Sequence, residues 1–579
     1  MNVDSNLLNE ILLENSSKTK LIGEAQKVKL SIIIFIWSAL LFFVNLLFHF
    51  SQEFSIIFFW LSTLLMVGIV IYQIFFLKNN TFVLFEIFII YLFLHLVYQI
   101  GYYGLRGSDS YVDYNLFKTI LYTNHLNITQ GVNGWPMIHL LSSGFSIITK
   151  IDPLLVAKYI PSFITSIIVL PIYLLSYAIY KDKKIALLSC LFFGFIPQFM
   201  NFDALFVRET FGIFIMILFV YIVYVAKRKN DIRYIGLLLI LIPILVFSHH
   251  FTGLVLLIFL GGYFVFSLGV PYFYRILFKK KIEFSGLIDI KIITLIVFIS
   301  IITYWFYIKG GDWANAFILG NIENIINPSS NSSAYSQGVG IGTPIVTLKG
   351  NIIYYGFLFF HFLFSLILLI YLIIKKNIEK IEDISFSAVF YFCLGYGYLV
   401  LYTINSNINP DRLLSFGWIC GTIPLIGLFI NIRKKILKKI FFVICISFIV
   451  FNLYNIDTNY ITGNTASMSN ITTEKEYLIA KKINFPPNYY GYPSVVAVIY
   501  DVQGIPQSAG KSSDNIQDFR HSSTLAVIND LPLLNSLENL KIKSKEQYDK
   551  INEILSYKNT KDIDKIYDLG NIYVLRGGG

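Results

Sequence analysis

The chain alternates between long apolar runs and short polar stretches over most of its length. Each run has about 20 residues, which is enough to cross about 30 Å of hydrocarbon as a helix. The runs are continuously apolar rather than alternating, which favours membrane-spanning helices over barrel strands. The pattern predicts about thirteen spans, centred on residues 30–50, 54–76, 82–100, 154–180, 185–201, 209–226, 234–249, 252–274, 287–308, 351–374, 385–404, 412–430 and 439–456.

The composition supports a polytopic α-helical membrane protein. Of the 579 residues, 56% are hydrophobic and 14% are charged, whereas soluble domains carry about 25% charged residues. The net charge of +11 comes mainly from loops between apolar runs, so it indicates topology rather than a nucleic-acid partner. No CxxC or CxxH spacing occurs, so neither a disulfide framework nor a zinc site is predicted. The cysteines lie inside apolar runs, at Cys190, Cys393, Cys420 and Cys445.

The positions of the basic residues set the topology. The first run begins near Leu30, is too long for a signal-peptide core and lacks a small-residue cleavage site, so we expect it to stay as a span. A count of about thirteen spans with the N-terminus inside and the C-terminus outside places every basic cluster on the cytoplasmic side. The clusters are Lys18, Lys20, Lys27 and Lys29, then Lys78, and the stretches 181–184, 227–233, 275–281, 375–380 and 433–439.

The same topology assigns the remaining polar segments to the outer face. Three domains are predicted: a cytoplasmic tail (1–29), a transmembrane domain (30–456) and a small extracytoplasmic α/β domain (457–579). In the last of these, strands are expected at 494–501 and 572–576 and a helix at 545–557. The outer segments are the loop 101–153, residues 201–209 and 248–250, the Gly/Ser/Asn-rich loop 309–350, residues 405–412, and the sequons at Asn127, Asn331 and Asn470.

The first outer loop carries two carboxylates four residues apart, Asp109 and Asp113, in "YGLRGSDSYVDY". In a helix over 108–123 they share a face, and two close carboxylates raise the proton affinity of one, which suits a general base. The alternative is a simple helix start, with Ser108 or Asp109 as the cap and Asp113 solvated. We predict Asp109 and Asp113 as catalytic residues.

Cations at outer span ends are candidates for holding a phosphate. Arg412 begins a span at the outer surface, and a guanidinium matches phosphate oxygens in a two-pronged geometry. A salt bridge to Asp411 or snorkelling to water is the alternative. Arg208 could hold a phosphate or orient the carboxylate pair, or form a local ion pair at a helix start. His249 and His250 could donate to a phosphate oxygen or have a structural role.

Two further residues are predicted to orient the substrate. Glu209 follows Arg208 at the same span start, and Tyr111 lies between the two aspartates. Most aromatic residues near outer span ends belong to an interfacial belt, and a few could stack on a sugar ring. No Walker loop, GxSxG, dinucleotide fingerprint or HExxH is present, which leaves no motif for soluble-nucleotide chemistry on the cytoplasmic side.

Taken together, these motifs resemble the glycosyltransferase C (GT-C) superfamily of integral membrane transferases, particularly its archaeal and bacterial members. The resemblance covers roughly residues 80–456, and the first two spans precede the shared core. It is carried by "GSDSYVDYNLFKTIL", the following "NGWPMIHLLSSGFSIITK", an outer His pair, a Gly/Ser-rich outer loop, a late Arg and a C-terminal outer domain.

The resemblance implies a sugar donor on polyprenyl or dolichyl phosphate and transfer at the outer face of the plasma membrane. It places Asp109 at the catalytic acidic position, Asp113 at that of its acidic companion, and Arg412 at that of the basic residue that engages the donor phosphate. A WWD-type motif of oligosaccharyltransferases is absent, and residues 489–493 read "YYGYP". Block transfer of a glycan to asparagine is therefore not the expected reaction.

We expect a single inverting displacement onto a hydroxyl of a glycan, lipid or protein, with Asp109 as general base. No cofactor is required; a divalent metal at the acidic pair is compatible with this chemistry but not needed. One alternative is a polymerase or ligase of lipid-diphosphate glycans, which needs more than one phosphate-binding cation. Another is a transporter or flippase, although the sequence shows neither repeated halves nor mid-bilayer charges of the usual kind.

Overall fold

The structure is a computed structural model of the chain. It describes residues 5–48, 55–77, 82–100, 104–105, 108–126, 134–196, 204–229, 231–278, 290–308, 421–427, 429–430, 435–456 and five strands between 489 and 577. The helices are α1 (Ser5–Phe48), α2 (Ile56–Phe76), α3 (Val83–Ile100), α4 (Ser108–Thr123), α5 (Met137–Thr149), α6 (Pro153–Ile167), α7 (Val169–Tyr180), α8 (Lys183–Phe193), α9 (Arg208–Lys229), α10 (Ile232–Ser248), α11 (His250–Phe278), α12 (Ile290–Thr303, continued by a π-helical turn at Tyr304–Ile308) and α13 (Lys435–Ile456).

Polar residues between the apolar runs begin several of these helices. Asp152 caps α6 by accepting from the Leu154 N–H, and Pro153 occupies the first turn, where its missing N–H costs nothing. Asp182 and Asp231 cap α8 and α10 in the same way. These aspartates satisfy backbone donors that would otherwise be left open at a helix start.

Four helical segments among the described residues are long and apolar enough to cross a membrane. They are Ala25–Phe48, Ile56–Phe76, Pro153–Tyr180 and Arg208–Lys229, and they coincide with four of the predicted spans. The part of the chain that is described is therefore that of a multi-pass membrane protein. The predicted spans 351–374 and 385–404, and most of 412–430, lie outside the described residues, so the count of thirteen stays a prediction.

The predicted span centred on 185–201 is described only as far as residue 196, and its helix α8 ends at Phe193. A Cβ at Gly194 would lie 1.9 Å from the Tyr91 ring, so this position needs a glycine. Pro197 then disfavours a helical residue before it.

Helix α9 lies at the centre of the described bundle. It contacts α5, α6, α7, α10 and α11, and most of its side chains are buried. By contrast, α1 and α2 pack on each other and expose large apolar side chains such as Trp37 and Ile57. An apolar surface of this kind suits contact with lipid.

The two ends of the bundle bring together different loops. At one end, Gln99 donates to the Ala204 carbonyl and Tyr304 donates to the Gly134 carbonyl. At the other, the Lys184 Nζ donates to the Phe75 carbonyl at 3.2 Å. Segments predicted to share a membrane face thus contact each other, while the assignment of each end to the cytoplasm or the exterior stays a prediction.

The described strands form a five-stranded sheet in the order β2–β1–β3–β5–β4. Strand β1 runs parallel to β2 and β3, whereas β5 is antiparallel to both β3 and β4. The strand predicted at 572–576 is present as β5; the one at 494–501 and the helix at 545–557 lie outside the described residues. The strands are β1 (Tyr489–Tyr490), β2 (Gly510–Lys511), β3 (Leu525–Asn529), β4 (Ile563–Asp568) and β5 (Ile572–Gly577).

Candidate active site

The side chain of Asp113 contacts polar side chains from two other helices in a buried part of the bundle. Its side chain is 1% exposed, and its Oδ1 lies 2.9 Å from the Nε of Arg208. The same oxygen accepts from the Nε2 of His139 at 3.1 Å. Because Asp113, His139 and Arg208 belong to α4, α5 and α9, these three residues, which we call the acid cluster, connect α4 and α5 to the central helix α9.

Asp113 also accepts a hydrogen bond from a backbone N–H group at the start of α9. Its Oδ2 accepts from the backbone N–H of Arg208 at 3.3 Å. The first N–H groups of a helix have no partner within the helix, and the helix dipole makes this end favourable for a negative charge. A carboxylate from a distant helix thus acts as a cap, which fixes α4 against α9.

The surroundings of Asp113 keep it ionised. Burial raises the pKa of its carboxyl group, but the charge of Arg208, the hydrogen bond and charge of His139 and the Arg208 N–H together outweigh burial and bring the pKa below its usual 3.8. A carboxylate with so low a proton affinity is a poor general base near neutral pH. The sequence predicted that two close carboxylates would raise the proton affinity of one of them. The pKa of Asp113 is lowered instead, so Asp113 is not that carboxylate.

Asp109 lies one turn before Asp113 on the same helix and differs from it in exposure. The residue is in the first turn of α4 and is exposed, while Asp113 is buried. Residues four apart lie on one face of a helix. The contacts of Asp113 therefore fix the position of α4, and Asp109 is exposed to solvent one turn earlier on the same face of the helix.

The side chain of Tyr111 contacts the segment that precedes α4 in the chain. Its hydroxyl accepts from the Leu105 N–H at 3.0 Å, and the residue is 1% exposed. Tyr111 therefore fixes the chain that precedes the helix, and its ring is not displayed at the surface. Glu209 is likewise buried, at 3% exposure, in the first turn of α9.

The His pair lies beside α9, one turn further along than Arg208. His249 Nδ1 is 3.0 Å from the Thr252 Oγ1. A Cβ at Gly212 would lie 2.9 Å from that oxygen and 3.1 Å from the His249 Cβ. Gly212 therefore lets the junction of α10 and α11 approach α9 closely, next to the acid cluster.

The second histidine of the pair packs on the residue that precedes α5. The His250 ring centroid is 4.7 Å from that of Trp135 and 4.6 Å from that of His249. Trp135 is 1% exposed. Trp135 lies two residues before α5, the helix that carries His139, so the His pair packs close to the start of that helix.

His139 was not among the predicted site residues. It lies in the apolar stretch "MIHLL", where it reads as a core residue. The available signal is an ionisable group inside an apolar helix, which usually has a partner or a function. Arg412 lies outside the described residues. Within the described ranges, no three His, Cys, Asp or Glu side chains form a group that could hold a metal ion.

Comparisons with known proteins give similarity only at low sequence identity. No family model and no curated protein sequence matches the chain. Among solved structures, the Archaeoglobus fulgidus oligosaccharyltransferase tethered with an acceptor peptide containing the NVT sequon is 14% identical, with a TM-score of 0.45. That match covers 69% of this chain and 57% of the oligosaccharyltransferase, so the chain spans little more than half of its length.

A second similar structure is ArnT from Cupriavidus metallidurans. Bound to undecaprenyl phosphate, it is 10% identical with a TM-score of 0.45, over 85% of this chain and 97% of ArnT. Its apo state is 9% identical with a TM-score of 0.42, over 85% of this chain and 96% of ArnT.

Proposed function

We propose that the chain is a GT-C-type membrane glycosyltransferase that moves a sugar from polyprenyl or dolichyl phosphate to an acceptor hydroxyl at the outer membrane face. The observation that carries the proposal is the contrast on α4: a buried, ion-paired Asp113 holds the helix, and an exposed carboxylate lies one turn away. The sequence resemblance places the catalytic acidic residue at that exposed position, Asp109.

The two aspartates have separate roles in this mechanism. Asp113 stays charged and fixes α4 to α9 through Arg208 and His139, so it does not exchange protons with the substrate. Asp109 reaches solvent and accepts the proton of the acceptor hydroxyl. Positioned proton transfer of this kind typically contributes about a hundred- to ten-thousandfold in rate.

The transfer is a single displacement. The acceptor oxygen loses its proton to Asp109 and forms a bond to the anomeric carbon, while the bond from that carbon to the phosphate oxygen breaks. The lipid phosphate leaves with the electron pair and one additional negative charge. Attack from the side opposite the phosphate inverts the anomeric configuration.

In the proposal, basic side chains stabilise the leaving phosphate. Arg412 takes this role by resemblance. His249 lies against α9 at Gly212, one turn after Arg208, and His250 packs on His249, so we assign both histidines an assisting role. A preorganised partner for developing charge is worth about 2.7–4 kcal/mol. With a guanidinium on the single phosphate, the mechanism does not require a metal.

The test is transfer from a polyprenyl-phosphate sugar by the purified full chain in proteoliposomes. Asp109→Asn keeps the size of the side chain but removes the base, so we expect the rate to fall at least about a hundredfold. Asp231→Asn is the matched control, because Asp231 caps α10 next to an exposed Arg233 and asparagine caps equally well. A rate for Asp109→Asn equal to that of the control would remove Asp109 from the mechanism.

The same assay separates the competing functions. A polymerase or ligase of lipid-diphosphate glycans would be inhibited by diphosphate head groups more strongly than by monophosphate ones. A transporter or flippase would move the lipid-linked sugar without forming a covalent product. Inverted anomeric configuration in the product, read by NMR, supports the single displacement.

A further inference from the structure

Cations in the last turn of α9 rest on tyrosine hydroxyls from neighbouring turns and helices. The Lys227 Nζ donates to the hydroxyl of Tyr263 on α11 at 2.7 Å and lies 4.9 Å from the centre of its ring. The Arg228 Nη1 donates to the hydroxyl of Tyr224 at 2.8 Å. Both cations are thus held in place by neutral groups.

Lys229 and Arg233 extend this arrangement into the start of α10. The Lys229 Nζ lies 3.3 Å from the hydroxyl of Tyr234 and 5.8 Å from the centre of its ring. Arg233 pairs with Asp231 at 2.6 Å, and its side chain is 86% exposed. We call Lys227, Arg228 and Lys229 with their three tyrosines the cation–tyrosine surface.

The surface carries an excess of positive charge. A tyrosine hydroxyl accepts a hydrogen bond from a cation but does not neutralise it. Residues 227–233 contain four basic side chains and one carboxylate, a net charge of +3, and residues 181–184 add +2. The stretch 181–184 follows the end of α7, a helix that packs against α9.

The position of this charge indicates its ligand. Helix α9 is long and apolar enough to span the membrane, so its last turn lies at the level of lipid head groups. Tyrosine is enriched at that level because its ring is apolar and its hydroxyl is polar. Clusters of basic residues directly beside a span attract anionic lipids.

We propose that the cation–tyrosine surface binds the phosphate-bearing head groups of anionic phospholipids in the leaflet at that end of the bundle. The tyrosine hydroxyls hold the cations at the depth of the phosphates and reduce the side-chain freedom that binding would remove. The proposal is independent of the transferase function, since none of these residues belongs to the acid cluster.

The test compares two double variants of the full chain in nanodiscs of phosphatidylcholine with increasing phosphatidylglycerol, with lipid enrichment read by native mass spectrometry after release. Lys227→Gln/Lys229→Gln removes two charges from the surface, and Lys118→Gln/Lys150→Gln removes two at the other end. About fivefold loss of preference for each charge is expected, so the first double variant should lose about twenty-five-fold in its selectivity for phosphatidylglycerol. The second should change little.

Two further double variants separate the effect of the charge of the lysines from the effect of the tyrosine hydroxyls that position them. Lys227→Arg/Lys229→Arg keeps the charges and should keep the selectivity within about twofold, even where the glutamine variant folds poorly. Tyr234→Phe/Tyr263→Phe keeps the rings and removes the hydroxyls, and should lose about two- to fivefold, a smaller effect than charge removal. Equal selectivity in the glutamine variant and the wild type would overturn the proposal, as would competition by heparin without any lipid preference.

Discussion

Helix α9 carries basic residues at both of its ends, which are roughly 33 Å apart at 1.5 Å per residue. The surroundings of these basic residues differ between the two ends. At its first residue, Arg208 is largely buried against Asp113, whose other partner is His139. At its last turn, Lys227, Arg228 and Lys229 rest on neutral hydroxyls. One helix thus links a buried ion-paired cluster to a more accessible cluster of basic residues that donate to tyrosine hydroxyls.

The contrast follows from solvation. Removing one partner from a buried ion pair leaves a charge that protein cannot solvate, which costs about 3–5 kcal/mol. A cation at a helix end in the head-group region keeps water and lipid phosphates as partners, so losing its hydroxyl contact costs little. The first end is therefore expected to be intolerant of single changes, and the second to depend on the number of charges.

The largest effect is expected from Asp113→Asn. The amide keeps an acceptor oxygen but loses the charge, which leaves Arg208 buried without its carboxylate and weakens the cap of α9. Because Arg208 is 15% exposed, the low end of the range applies, a loss of about 3 kcal/mol. Thermal unfolding of the purified chain in detergent measures it. Asp113→Leu/Arg208→Met should recover part of the loss, and a double variant less stable than Asp113→Asn would contradict the ion-pair account.

The dependence of that loss on pH is the second prediction. The folded-state pKa of Asp113 lies below 3.8, so its contribution to stability is fully present above pH 3.8 and is lost as the pH falls further, through the folded-state value. The difference in unfolding free energy between wild type and Asp113→Asn should not shrink between pH 8 and pH 5, and should shrink only below about pH 3.8. A difference that already shrinks at pH 6 would mean that the carboxylate has a raised pKa.

His139 provides a third prediction, with a smaller effect. Glutamine places its Nε2 near the position of the imidazole Nε2 and so keeps the donor to Asp113, whereas leucine removes it. Loss of a hydrogen bond to a charged group costs about 1.5–3 kcal/mol. In His139→Leu, we expect Asp113 to be less firmly positioned and the kcat of transfer to fall with little change in KM. In His139→Gln, we expect kcat to stay within a few-fold of the wild-type value. A glutamine variant as inactive as the leucine variant would instead assign His139 a proton-transfer role.

Hydrophobic patterning predicted the helices of the described bundle well, because each run of apolar residues is itself the cause of the helix that crosses the membrane. The run 209–226 became α9, Arg208–Lys229, and 108–123 became α4. The close approach of the Tyr91 ring to Gly194, just after the end of α8, was not predictable, because it depends on a tertiary contact.

The sequence drew attention to Asp113 and Arg208 separately, but it did not predict that they pair. Asp113 and Arg208 are 95 positions apart, and neither periodicity nor spacing indicates that they touch. The sequence left two roles open for Arg208, holding a phosphate or orienting the carboxylate pair, and the structure places its guanidinium on Asp113. His139 was missed because an isolated histidine in an apolar helix looks like a core residue.

The smallest effect is expected from a single charge removed at the other end of α9. Lys229→Gln takes away one contact to a neutral hydroxyl at an exposed position, where substitutions usually stay within about 0.5 kcal/mol. The change in Tm should therefore be far smaller than for Arg208→Gln, which also removes one cation from α9 but leaves Asp113 buried without its guanidinium. The two variants, unfolded side by side in the same detergent, compare the two ends directly. Equal destabilisation would show that Lys229 is as tightly integrated as Arg208, and the division between a compensated end and an accessible end would then be wrong.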